Sequence, residues 1–203
     1  PLPSELTGAG VGVGDINGDK RCDIVGFKGW AEQPPGSGDP WIWHGEFDLV
    51  DPGIPITVDD VDGDGDADLI WGIGHNYGVY WMEQGKSDSG ERTWIKHEID
   101  RAWSQAHVIL LGDLDGDGRK EFVTGKRYWA HNGSDPGESE QRCLYWYKFD
   151  RKTRQWQRHT IHEGGPAGVG TSAQLEDIDR DGDLDIVCPG KSGLYLFENL
   201  RRP

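Results

Sequence analysis

Apolar residues along this chain fall in short runs rather than in helical stripes. Ile24-Val25, Leu69-Ile70, Phe122-Val123 and Ile186-Val187 each follow an acidic, glycine-containing stretch. Runs this brief, bounded by Gly and Asp, predict strands and tight turns. Behind each comes a second run with aromatic rings in it: Trp41-Ile-Trp43, Val79-Tyr-Trp81, Leu144-Tyr-Trp-Tyr147 and Leu194-Tyr-Leu-Phe197. A third pattern occurs twice, as Trp94-Ile-Lys-His97-Glu-Ile99 and Trp156-Gln-Arg-His159-Thr-Ile161. Small-residue runs such as Gly8–Gly14 and Gly168–Gln174 precede the acidic stretches. In order these predict a small inner strand A, a strand B after the acidic loop, an aromatic strand C and an outer strand D. No segment carries a convincing helical period.

The units begin at Asp15, Asp60, Asp113 and Asp177, spaced 45, 53 and 64 residues apart. Periods of this size belong to propeller blades of four strands. The expected fold is therefore all-β: a β-propeller, whole or partial, with blades at 7–50, 54–101, 104–163 and 168–203. In this reading the first blade has at most a vestigial strand D near Phe47–Val50, and the last stops after strand C. The Gly/Pro/Asp-rich inserts at 33–40 and 132–141 read as loops between strands B and C. The chain is then either part of a larger propeller, completed by another chain or segment, or a four-bladed one.

The acidic stretches share one spacing. Asp113, Asp115, Asp117 and Glu121 stand at positions 1, 3, 5 and 9, as do Asp60, Asp62, Asp64 and Asp68, and Asp177, Asp179, Asp181 and Asp185. The first loop has Asp15, Asn17, Asp19 and Asp23. Alternating carboxylates on a glycine turn can converge the six to eight oxygens that Ca²⁺ takes. Up to four structural Ca²⁺ ions are expected, pinning the A–B turns. The net charge of −15 changes meaning accordingly: four such ions would offset about half of it. An acidic chain without a basic stripe also disfavours nucleic acid as a partner.

The composition, with 31 Gly, 10 Trp and a single Met, suits many short strands. The three cysteines, Cys22, Cys143 and Cys188, follow no metal or redox spacing, and Cys22 and Cys188 read as buried thiols beside or within strands. No apolar run reaches membrane-spanning length. The chain opens on Pro1 and reads as a mature or excised piece of something longer. Weak Ca²⁺ loops fill where the ion is millimolar, so an extracellular or periplasmic location is expected.

The Asp-x-Asp-x-Asp-Gly-x-x-Asp loops, with glycine-rich strands before them and aromatic strands after, resemble the FG-GAP/VCBS repeats of integrin-like propellers. That resemblance implies the fold and the calcium. A narrower one lies in Trp71-Gly-Ile-Gly-His75-Asn-Tyr-Gly-Val-Tyr-Trp81, Ser104-Gln-Ala-His107 and Thr124-Gly-Lys-Arg-Tyr-Trp-Ala-His-Asn-Gly133. These are similar to the propeller part of the aldos-2-ulose dehydratase group, which eliminates water from keto-sugars with metal help.

Strand direction sorts the remaining chemistry. If strand A runs to its acidic loop on one face, the B–C and D–A connections lie on the other. His75, Lys126, Arg127, Tyr128 and His131 then share that rim with His107, Lys28 and Trp30. His75, His107 and His131 are the candidate ligands for Zn²⁺ or another transition metal, with an open position for a substrate oxygen. Elimination beside a carbonyl needs a base, an acid and a group to hold the enolate. Lys126, Arg127, Tyr128 and a free His are the candidates for these roles. Arg127, Trp30, Lys28 and Tyr77 are the candidate substrate contacts. Two functions stay open: a metal-assisted dehydratase or lyase of keto-sugars, and a non-catalytic carbohydrate- or protein-binding module. Structural roles fit His44, His97 and His159, and packing between blades fits Tyr80, Trp81, Tyr145 and Trp146.

Overall fold

The computed structural model describes every residue except Ala9, Ile54, Arg202 and Pro203. Ala9, within the first predicted strand A, and the blade limits at 54 and 203 lie outside the described residues. The described chain contains no helix; its strands form four antiparallel sheets. The first holds β1 (Gly12–Gly14), β2 (Asp23–Gly26), β3 (Gly29–Glu32) and β4 (Ile42–His44). The second holds β5 (Thr57–Asp59), β6 (Asp68–Gly72), β7 (Tyr77–Lys86) and β8 (Arg92–Ser104). The third holds β9 (Ala106–Gly112), β10 (Glu121–Lys126), β11 (Cys143–Asp150) and β12 (Gln155–Glu163). The fourth has three strands, β13 (Gln174–Glu176), β14 (Asp185–Gly190) and β15 (Gly193–Phe197). Strands pair in sequence order within every sheet, so this is a β-propeller of four-stranded blades, whole or partial.

The innermost strands touch in succession, β1 on β5, β5 on β9 and β9 on β13. Crowding there is severe at β1. A Cβ on Gly12 would lie 2.3 Å from the Ile56 carbonyl oxygen, and one on Gly14 would meet Val58 at 2.5 Å. Only glycine lets these strands approach so closely. The small-residue expectation does not extend to β9, where Val108, Ile109, Leu110 and Leu111 take the inner position.

Three apolar cores fill the spaces between successive sheets. Between the first and second lie Val25, Trp30, Leu69 and Trp71. Between the second and third lie Ile70, Trp81, Phe122 and Tyr147. Between the third and fourth lie Val123, Leu144, Ile186 and Cys188. Alternation along each strand assigns one face to each core, which is why period-two aromatics recur. On the outward faces Val13, Ile42, Leu194 and Leu196 stay exposed.

The first sheet corrects the sequence reading. Strand C is Gly29–Glu32, joined to β2 by the two-residue turn Phe27-Lys28, and Ile42–His44, with Trp41 just before it, is strand D. The insert at 33–40 therefore lies between C and D, on the face of the acidic loops. Phe47–Val50 is no strand; it is a link in which Leu49 is fully buried and its amide donates to the Phe27 carbonyl. Cross-strand pairing explains the assignment. Trp30 faces His44 in stacked contact at 4.1 Å, as Trp81 does His97 at 4.5 Å and Trp146 does His159 at 4.0 Å. Trp30 is 1 % exposed and so is core, not a rim contact. Cys143 and Cys188 are buried free thiols, pushed by burial up to about 12 and about 11. Cys22 is free and exposed, because it ends the acidic loop before β2 begins.

Candidate functional site

The acidic loops are built alike from the backbone upward. The first Asp of each accepts amide hydrogens from its own turn: Asp60 from Gly63 and Gly65, Asp113 from Gly116 and Gly118, Asp177 from Asp181 and Gly182. Asp15 does the same for Gly18, Asp19 and Lys20. The ninth residue, Asp23, Asp68, Glu121 or Asp185, is buried and accepts from the amide of the second residue at 2.8–3.2 Å. Short polar side chains bonding to nearby amides favour such turns over regular structure.

Carboxylates thus gather where their charges repel. Oxygens of Asp60, Asp62 and Asp64 lie within 4.8 Å of one another, as do those of Asp113, Asp115 and Glu121, and of Asp177, Asp179 and Asp185. Burial pushes Asp68 up to about 7, and raises Asp23 and Glu121 as well. These donor sets fit a hard divalent cation. The loops are not equivalent, however. In the third, Lys148 bonds to both Asp115 and Asp117 and lies 3.8 Å from Glu121. In the first, Arg21 pairs with Asp19, and its Asn17 removes one charge. In the fourth, a buried Asp183 oxygen has no hydrogen-bond partner.

The opposite rim is assembled from turns that do not repeat. His75 lies between β6 and β7, His107 on β9 and His131 in the loop from 127 to 142. Their rings gather closely, with His75 centred 5.3 Å from His107 and 5.0 Å from His131. The residues that can hold a metal together are His75, His131 and Asp135, whose ligand atoms lie within 4.8 Å of one another. His75 also meets Asp51 at 3.2 Å. Asp135 has no sequence motif to announce it; its spacing of four from His131 was the available signal.

His107 takes a different part. It is 5 % exposed, its Nε2 lies 2.9 Å from an Arg127 nitrogen, and its Nδ1 lies 3.3 Å from the Gln105 carbonyl. Arg127 can only donate, so Nε2 accepts and the ring is neutral with its proton on Nδ1. Burial lowers its pKa to about 4, with Arg127 adding to the effect. Both nitrogens are engaged, which turns His107 away from the metal group.

Lys126 is also enclosed, at 1 % exposure. Its ammonium donates to the Ser104 hydroxyl and the Gly137 carbonyl, both at 2.7 Å, and burial lowers its pKa. It therefore tethers the 127–142 loop to the second sheet. Glu138, equally buried, accepts from the amides of His131, Gly133 and Asp135. Tyr77 closes the same loop through its hydroxyl, which donates to Glu140, and that bond raises its pKa. Lys28 is exposed on its turn, 5.3 Å over the Phe27 ring, and no hydrogen bond joins it to the histidines among the described residues.

Beside the histidines a cleft of about 380 Å³ opens between the third and fourth sheets. Arg127, Tyr128, Arg142, Thr171, Lys191 and Ser192 line it. The Arg142 guanidinium lies 4.0 Å over the Tyr128 ring. Lys191 donates to the carbonyl of Trp129, whose ring is 41 % exposed and centred 6.4 Å from that of Tyr128. Arg142 and Lys191 each come from the turn of a different blade, so sequence spacing gave no sign of their meeting.

Comparison with known proteins agrees with the fold. The FG-GAP-like repeat family matches residues 60–124, from the second acidic loop to the middle of β10. No curated protein matches the sequence. Among solved structures, the chain is similar to a lectin of Agrocybe aegerita, reported for specific recognition of non-reducing terminal N-acetylglucosamine. The two share 18 % identity with a TM-score of 0.57 over 93 % of this chain. This chain spans about half of that lectin, 49 % of its length. Likeness at that identity speaks for the architecture; the sites must be argued from their own residues.

Proposed function

We propose that this chain is a carbohydrate-binding propeller module with its site on the B–C rim of the second to fourth sheets. The cleft between the third and fourth sheets carries the proposal. It offers a fork of hydrogen-bond donors, Arg127 and Arg142, to sugar oxygens, and the exposed Trp129 ring, next to the Tyr128 ring that lines the cleft, is available to an apolar sugar face. Such a concave site with few convergent polar groups is what small ligands occupy. The lectin neighbour supports the same reading. Ca²⁺ in the acidic loops belongs to it as the ion that stiffens the far face, and an exported setting would keep those loops filled. Screening against a glycan panel tests the proposal. Trp129→Ala should lower affinity for any captured glycan about tenfold without moving the melting temperature. Capture of no glycan would overturn it.

One observation favours a second reading, metal-assisted dehydration of a keto-sugar of the kind the aldos-2-ulose dehydratase resemblance implies. His75, His131 and Asp135 together suit Zn²⁺ or a similar ion. Bound there, such an ion would act as a Lewis acid toward a substrate oxygen. Of the chain's own groups, Arg127 and Tyr128 face the open cleft and can hold an anionic oxygen or move a proton. Lys126 is committed to its tether. Elemental analysis after dialysis without chelator should show about one transition-metal equivalent, lost in His75→Ala. Calcium alone would leave the binding module standing.

A further inference from the structure

The cleft's cations are unlike most others in the protein. Formal charge is −15, and acids outnumber Lys and Arg by 36 to 21. Of the seventeen other described cations ten face a carboxylate, among them Arg21, Lys86, Arg92, Lys148, Arg154 and Arg158. Arg127, Arg142 and Lys191 face one another across a single cleft and form no ion pair among the described residues. Their partners are neutral: the His107 ring, the Gly165 carbonyl and the Trp129 carbonyl. Each guanidinium has five N–H donors, so most remain free.

Nearby acids are turned away. Glu138 is buried and spent on three amides, Glu140 takes the Tyr77 hydroxyl, and Asp135 pairs with His131. Glu163, exposed at the end of β12, forms no ion pair with Arg142. Stacking on Tyr128 holds the Arg142 fork in one orientation, and the His107 contact does the same for Arg127. Three positive charges fixed about one cavity, in a molecule that neutralises most of the rest, select for negative charge in the occupant.

We infer that the ligand of this cleft is an acidic carbohydrate, bearing a carboxylate or sulfate group that Arg127 and Arg142 grip with Lys191 at the mouth. Arginine pairs bidentately with either group, so the shared chemistry is an oxyanion on a sugar ring. This rests on the carbohydrate-binding proposal and narrows it.

Calorimetric titration distinguishes the possibilities. The probes are an oligo-uronate, the same oligosaccharide with its carboxylates reduced to alcohols, and a sulfated oligosaccharide, at about 0.15 M salt. At least one charged probe should bind about tenfold or more tighter than the reduced one, and its affinity should fall as salt rises. Whichever charged probe wins identifies the oxyanion. Arg142→Gln should lose about tenfold toward that probe alone. Lys191→Gln lies on an exposed turn, where it gives up only the bond to the Trp129 carbonyl, and should show a smaller loss in the same direction, which guards against misfolding of the first variant. Equal binding of charged and reduced probes, or no effect of either variant, would overturn the inference while leaving a neutral-sugar module intact. No binding of these three or of the glycan panel would overturn the carbohydrate proposal itself.

Discussion

On the loop face, Asp15, Asp60, Asp113 and Asp177 hold equivalent places, and each accepts from the amide five residues on in its own turn. On the rim face, His75, Arg127, His131 and Arg142 each occur once, on connections of different length, and His107 sits at the start of β9. The loop face repeats because every blade meets the same problem there, a sharp turn that must satisfy its amides. The rim has no such common demand, so its residues differ from blade to blade. Even within the loop face the repeats diverge where a cation from the chain intervenes, as Lys148 does among Asp115, Asp117 and Glu121.

The sharpest way to break this contrast is to remove divalent ions. If the loops carry Ca²⁺, excess EDTA should lower the melting temperature by roughly 10 °C, since each filled site adds binding free energy to the folded state. Scanning calorimetry with and without chelator reads this directly. An unchanged transition would mean the amide bonds alone hold the loops.

Acid should act next, and through the rim. His107 titrates near pH 4 in the folded protein and near 6.5 unfolded. Below pH 6.5 the unfolded chain takes the proton first, so stability falls with pH until about 4, by ~3 kcal/mol at most. Arg127, His75 and His131 all face this ring and oppose its charging. Urea melts of wild type and His107→Gln at several pH values isolate its share. Parallel profiles would show that His107 carries none of the slope.

Lys126→Met should cost about 2 kcal/mol by stranding Ser104 and the Gly137 carbonyl. It should also expose the 127–142 loop to proteolysis and abolish rim binding. Retained binding would separate the site from its tether. The smallest effects sharpen the contrast most. His159→Ala removes a ring stacked on Trp146 and should cost about 1 kcal/mol. His75→Ala, on an exposed turn, should cost under ~0.5 kcal/mol yet remove any rim metal. A large stability loss in His75→Ala would make that residue part of the scaffold.

Strand order and blade count were legible because alternation and acidic spacing are local patterns. The first blade was misread for the same reason. The Trp41-Ile-Trp43-His44 segment repeats the Trp-x-x-His pattern of strand D at Trp94–His97 and Trp156–His159, but its extra Trp43 imitates an aromatic strand C. Trp30 was misplaced with it. At the rim, sequence placed His75, His107 and His131 on one side of the molecule. It held nothing to say that Arg127 would occupy the His107 nitrogen, that Lys126 would turn inward, or that Arg142 would arrive from the end of its loop, and only the spacing of four from His131 pointed to Asp135. Those outcomes depend on tertiary approach between blades, which spacing does not encode.

Gln105 is the single residue between β8 and β9, with φ of 68°. Its amide donates to the Asn76 carbonyl, and its own carbonyl accepts from the Arg127 amide. So short a splice leaves no slack between the second and third sheets. In amide hydrogen exchange the two should open as one cooperative unit, with the first and last sheets fraying earlier. The turns bearing His75 and Arg127 are anchored to that splice. Their separation is then set by the slowest-opening part of the protein, and a ligand would meet a site already in place.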